Sequence, residues 1–292
     1  MKKGILYVLI TAILFVTYEP ISKIIAGDVS PYAITFWSFA MASFIMLPPA
    51  LVKIKREKIH ISIKDFAAMT GLGVLFICIS MIALQIGVKK ADSPALIAII
   101  FSSNSVFTIF FAMFILKDKL TLNKGIALIL GIVGVIICAD FSSGTNIESL
   151  LLAVFSAVSF SVYTVLNQKL VKKFGGIVQT SIVFFMGSVI LLIALLIGGA
   201  DIVPNITPQS LGIMLYVGFL VTGIGYVSYF KAIEKGGAIM ASLAFFIKPV
   251  LTPFVAFFIN GIVPDVKVFL AIIFIVGASY FATYSKPIKT KA

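Results

Sequence analysis

Apolar residues in this chain fall in long unbroken runs, not in alternation. Ten runs can be marked, at about 4–25, 31–52, 66–88, 94–116, 123–139, 150–170, 177–198, 210–230, 238–259 and 268–284. Most approach the ~20 residues that a helix needs to cross the hydrocarbon core of a bilayer. Continuous apolar runs predict helices, because the strands of a membrane barrel would alternate every second residue. Pro31 and Pro94 suit first-turn positions, and Gly198-Gly199 and Gly236-Gly237 mark breaks. The first run follows Met1-Lys2-Lys3 and has no small-residue cleavage site, so it reads as a retained first helix.

Polar residues inside the runs are few. The ninth run carries Lys248-Pro249 near its middle and Pro253 a turn later. Lys248 lies ten residues beyond Ala238, which is ~15 Å along a helix and too deep to snorkel. A charge at that depth costs at least ~2.5–3.5 kcal/mol, and such groups usually face a wet cavity or a partner. Proline also removes the hydrogen bond to the carbonyl one turn back, at Phe245. Glu19 is the one acid well inside a run; it precedes Pro20 and stands four residues before Lys23, the favourable order for an intrahelical pair. Two partners are therefore open to Glu19, Lys23 on its own helix and Lys248 across the bundle. Asn104, flanked by Ser102, Ser103 and Ser105, makes a polar break in the fourth run. It fits either a cavity wall or helix–helix hydrogen bonding. Tyr18 and Tyr163 are further candidates to line a cavity, with packing the alternative. Asn167 and Gln168 read as interface polarity, and Gly218, Gly223 and Gly225 as sites of close helix contact. Pro20, Pro249 and Pro253 are candidate hinges.

Composition agrees with an integral membrane protein: 61% of residues are hydrophobic, 12% are charged and the mean hydropathy is +1.16. Soluble domains are ~45–50% apolar and ~25% charged. The formal charge of +12 resides in loops between runs, so it reads as a topology signal and not as a nucleic-acid surface. With the N-terminus cytoplasmic, eighteen of the 23 Lys and Arg residues fall on the cytoplasmic side, against Lys89, Lys90 and Lys267 outside. Lys23 and Lys248 lie within runs. Both termini are then expected in the cytoplasm, and the location is a multi-pass bacterial inner membrane. Cys78 and Cys138 show no metal-ligand spacing, His60 has no second ligand nearby, and no Walker or dinucleotide motif occurs. No enzyme activity, cofactor or metal is expected.

The ten runs divide into two sets of five. A shift of 145 residues places Phe15 on Phe160, Tyr18 on Tyr163, Thr35 on Thr180 and Gly73 on Gly218. The basic loop Lys53-Ile54-Lys55-Arg56-Glu57-Lys58 has as its counterpart a stretch at 198–205 without Lys or Arg. An odd number of helices per repeat inverts the second copy, and the charge bias flips as that requires. Inverted repeats are typical of secondary transporters, with the substrate site at the midplane between them.

The motifs resemble the drug/metabolite transporter superfamily, in its ten-helix EamA-type branch. Ala91-Asp92-Ser93-Pro94-Ala95-Leu96-Ile97 opens the fourth run and Lys117-Asp118-Lys119-Leu120 closes it. Gly131-Ile132-Val133-Gly134-Val135 follows in the fifth. In the second half come Ala232-Ile233-Glu234-Lys235-Gly236-Gly237-Ala238, Lys248-Pro249-Val250 and Gly277-Ala278. The resemblance implies an all-α membrane protein of ten transmembrane helices in two inverted five-helix repeats, 1–145 and 146–292. Helices five and ten would stand outside a central cavity. It also implies export or exchange of a small organic metabolite, of the amino-acid or organic-acid class, by alternating access. Two departures alter the sign of charge in the cavity. The family often has Glu where Lys248 stands, and an Arg in helix two, where this chain reads Phe36-Trp37-Ser38-Phe39. The expected partners are a small-molecule solute, the bilayer and, as one candidate coupling ion, protons; the oligomeric state is open. Two further readings stay open: a proton-coupled exporter of cationic drugs that uses Glu19, and a non-transporting membrane scaffold or lipid-handling partner.

Overall fold

The computed structural model describes residues 2–117, 121–138, 146–200, 202, 207–264 and 266–283. Asp118, Lys119 and Leu120 of the motif that closes the fourth run lie outside the described residues, as do most of 198–205 after Ala200 and the C-terminal lysines. The described chain is helical throughout, in the order α1 (Lys2–Val16), α2 (Tyr18–Ile25), α3 (Pro31–Arg56), α4 (Ile63–Gly73), a π-helical segment (Val74–Met81), α5 (Ile82–Lys90), α6 (Pro94–Ser102), α7 (Asn104–Ile115) and α8 (Leu122–Cys138). Then come α9 (Ile147–Phe174), α10 (Gly176–Ile197), α11 (Pro208–Leu215), a second π-helical segment (Tyr216–Gly225), α12 (Tyr226–Ser242), α13 (Ala244–Asn260) and α14 (Val266–Thr283). Seven continuous helices are long and apolar enough to cross a membrane: Gly4–Ile25, Pro31–Arg56, Ile63–Lys90, Pro94–Ile115, Ile147–Phe174, Gly176–Ile197 and Pro208–Ala238. Three shorter apolar helices, Leu122–Gly134, Ile247–Asn260 and Val266–Ala278, match the remaining three runs.

Polar residues define the helix starts. Ser30 accepts a hydrogen bond from the Ala33 amide, Ser62 from Asp65, Asn146 from Glu148 and Ser149, and Thr207 with Ser210 forms a capping box. Each supplies an acceptor for amides that have no partner within the helix. The eighth run continues further than its hydropathy indicates and turns at Gly237, whose φ of +82° suits glycine. The Ala238 amide beyond that turn donates to Gln168 Oε1 at 2.7 Å. Gln168 thus anchors the start of the ninth run and is not a loose interface residue.

Close helix contact depends on glycine at one crossing above all. A Cβ added to Gly73 would come 2.6 Å from the Val183 carbonyl oxygen and 2.9 Å from the Gly187 amide, and a Cβ on Gly187 would meet the Gly73 carbonyl at 2.8 Å. The α4 and α10 backbones therefore touch with no room for a methyl. Gly73→Ala should lower stability by ~1–3 kcal/mol through overpacking, read as a drop in thermal unfolding midpoint in detergent. Gly125→Ala, where an added Cβ meets nothing within 4 Å, should not lower it.

The interior is largely aromatic. Phe76, in the first π-helical segment, has Phe39, Phe160, Tyr163, Phe184 and Tyr226 around it at centroid distances of 4.4–5.7 Å. Phe15, Phe101, Tyr229 and Phe245 extend the cluster, and all of these rings are buried. Many of the phenylalanines are thus centre-filling. Trp37 ties α3 to the segment after α10 by donating its indole N–H to the Ile202 carbonyl at 2.9 Å.

Candidate functional site

Lys248 and Glu19 meet at the centre of the bundle. Lys248 Nζ donates to Glu19 Oε1 at 2.5 Å, and both side chains are buried, at 1% and 0% exposure. Two local features present them. α1 ends in a turn at Thr17, whose hydroxyl donates to the Leu14 carbonyl at 2.8 Å, and α2 restarts with Tyr18, Glu19 and Pro20 facing inward. α13 carries Pro249 and Pro253 within its helix. Thr252 braces the same turn by donating its hydroxyl to the Lys248 carbonyl at 2.8 Å. A second tie joins the two elements: Asn260 Nδ2 donates to the Pro20 carbonyl at 3.1 Å.

The choice left open for Glu19 falls to Lys248. Lys23 instead donates to the carbonyls of Val88, Lys89 and Ala91 at 3.2, 3.1 and 2.5 Å. These are carbonyls at the C-terminal end of α5, where a cation is favoured.

Two aromatic rings hold the ammonium group, Phe101 at 5.1 Å and Phe245 at 5.9 Å from centroid to Nζ. Such contacts contribute ~0.5–2 kcal/mol, more when desolvated. The carboxylate is less well served. Its Oε2 has no partner, and nor do the Tyr18 hydroxyl and Asn104 Oδ1, although all three are buried. Buried polar atoms without partners are uncommon and mark places where water or a ligand belongs. Near Tyr18 on the inward side of α2, Ser22 accepts from Gln85 Nε2 at 3.2 Å.

The remaining expected site residues are more dispersed. Asn104 Nδ2 donates to the Phe101 carbonyl at 2.7 Å, so this residue and the ring over Lys248 share one break in the helix. Ser103 bonds its own Ile100 carbonyl at 2.6 Å and lines a small gap of about 110 Å³ with Val106, Phe107 and Gly131. Tyr163 stacks on Phe76 at 4.4 Å, in the aromatic cluster. Its hydroxyl accepts from Asn167 Nδ2 at 3.4 Å, and Asn167 Oδ1 accepts from Gln179. Asn167 is fully buried, so the interface reading for it is corrected.

Sequence reasoning missed Phe101, Phe245, Gln85, Gln179 and the two π-helical segments. Gln85 and Gln179 carried a usable signal, since each is a lone amide in an apolar run. The segments Val74–Met81 and Tyr216–Gly225 overlap under the 145-residue shift. π-turns are rare and frequent at functional sites.

The profile of the EamA-like transporter family matches residues 2–139 and 148–284. An uncharacterized transporter of Clostridium kluyveri is 34% identical over 288 residues, covering 96% of this chain and 92% of that one. An S-adenosylmethionine uptake transporter of Rickettsia prowazekii is 21% identical over 97% of this chain and 93% of its own. A solved crystal structure, 15% identical, superposes with a TM-score of 0.70 over 97% of each chain, which supports the fold. The chain belongs to the EamA-like transporter family, within the drug/metabolite transporter superfamily. It is a multi-pass transporter of the cell membrane and not an enzyme, and the scaffold reading falls away.

Proposed function

We propose that this transporter moves a small zwitterion of the amino-acid class, with Lys248 and Glu19 as its two binding charges. The observation that carries the reading is the buried Lys248–Glu19 pair, whose second carboxylate oxygen has no hydrogen-bond partner. A lone Lys248 would favour an anion, but the pair is neutral overall. An anionic or cationic solute would leave one uncompensated charge in a low-dielectric interior, which is costly. A solute carrying both a carboxylate and an ammonium group exchanges one internal ion pair for two and keeps the site neutral. The aromatic rings beside the pair suit an apolar or planar side chain. That three relatives are named as S-adenosylmethionine uptake transporters is in keeping with this class, since that molecule has an amino-acid head group.

The mechanism proposed is alternating access by a carrier of ten crossing helices, in repeats 1–145 and 146–292, with the second inverted and both termini cytoplasmic. Several features support it. The family profile matches twice, α8 lies along α14, and the π-helical segments recur at equivalent positions. Breaks at Thr17, Ser103 and Gly237 and the prolines at 20, 249 and 253 give joints about which the halves rock. Exchange down solute gradients needs no coupling ion, and its direction follows those gradients.

Solute counterflow in proteoliposomes tests the substrate class. Neutral amino acids should compete for exchange, whereas their methyl esters and N-acetyl derivatives, which each lack one charge, should not. If organic cations without a carboxylate exchange against protons, and Glu19→Gln stops this while Lys248 variants survive, the cation-exporter reading replaces this one.

A further inference from the structure

Away from the central site, a groove of about 530 Å³ opens between α3, α4 and α10. Its lining is apolar throughout and includes Leu51, Ile54, Ile63, Phe66, Ile182 and Phe185. It reaches to Met186, ten residues into α10, or ~15 Å from the end of that helix. Within a bilayer such a groove is filled by hydrocarbon, and its volume lies within the ~300–1,000 Å³ typical of small-molecule sites. The segment that joins α3 to α4 stands at its mouth, with Ile61 in the wall. Lys55, Arg56, Lys58 and Lys64 are exposed there and pair with no acid among the described residues. The nearby acids are engaged: Glu57 lies 3.9 Å from Lys53, and Asp65 holds Lys173 at 2.8 Å. Four uncompensated positive charges therefore border the head of an open apolar groove. A topology signal would need the charges without the groove, and an ordinary lipid crevice the groove without the charges.

We infer that this end of the bundle holds one anionic phospholipid of the cytoplasmic leaflet, with an acyl chain in the groove and its phosphate against the basic segment. Basic clusters beside membrane-spanning helices recognise anionic head groups in this way, at about fivefold in affinity for each Lys or Arg near the surface. The inference is independent of the solute assigned to the central site.

Native mass spectrometry of the full chain in detergent, titrated with equimolar phosphatidylglycerol and phosphatidylcholine, tests it. The expected result is a first bound lipid that is predominantly phosphatidylglycerol. Combining Lys55→Gln, Arg56→Gln, Lys58→Gln and Lys64→Gln should erase the preference but keep a bound lipid. Leu51→Trp, or Ile63→Trp should the first fold poorly, fills the groove without altering charge and should remove that lipid. Two results overturn the inference: a phosphatidylglycerol preference that survives the fourfold substitution, or a first lipid whose occupancy is unchanged when the groove is filled.

Discussion

Lys248→Met is expected to destabilise the protein by ~3–5 kcal/mol, because it leaves the Glu19 carboxylate buried with no opposite charge. Glu19→Gln should cost less, about 2–4 kcal/mol, because the ammonium group it strands keeps the faces of Phe101 and Phe245. Glu19 has no such reserve, since its other oxygen has no partner. Combining the two substitutions should restore stability to near the parent value, for a buried pair replaced by neutral residues of similar volume is often neutral or stabilising. Thermal unfolding of the four proteins in one detergent checks this as a double-mutant cycle. Additive losses would mean that the two groups do not act as a pair and that their contact contributes little. A Lys23→Gln control should leave the coupling between Glu19 and Lys248 intact, since Lys23 binds the carbonyls of 88, 89 and 91 instead.

The ends of the helices were legible in the chain because breaks in hydropathy coincide with capping residues and glycine turns. Ser30-Pro31 and Gly236-Gly237 both fall where they act. The burial of Lys248 was legible for a similar reason, since a charge far from both ends of an apolar run has little reach to the surface. Its partner was not. Glu19 and Lys23 stand one turn apart, and spacing alone favours their pairing. What separates them is tertiary: Lys23 reaches the end of α5, whereas α13 packs on α2 and brings Lys248 to Glu19. The aromatic cluster was hidden for another reason. In a helix that is apolar on every side, no polar face marks the direction of the core. Phe39 is 0% exposed and Phe44 is 79% exposed, yet both occupy the same apolar run. The π-helical segments leave no trace in hydropathy, although Phe76 lies within the first and Tyr226 directly follows the second.

The neutral double variant, Glu19→Gln with Lys248→Met, separates the pair's part in folding from its part in transport. With stability restored, any loss of activity belongs to the site and not to the scaffold. A bound zwitterion would lose two charge-assisted hydrogen bonds, each contributing ~1.5–3 kcal/mol, so its binding should weaken by about 10²–10⁴-fold. Counterflow of a neutral amino acid should fall to background at concentrations that saturate the parent. Exchanging the charges, with Glu19→Lys and Lys248→Glu, keeps a neutral pair but moves the positive end away from Phe101 and Phe245. It should retain part of the stability and little of the transport, since the solute would have to bind reversed against the aromatic wall. If the neutral double variant exchanges amino acids at the parental rate, the pair is a structural tie between α2 and α13. The solute must then be recognised elsewhere in the bundle, with the buried amides of Asn167 and Gln179 the next groups to test.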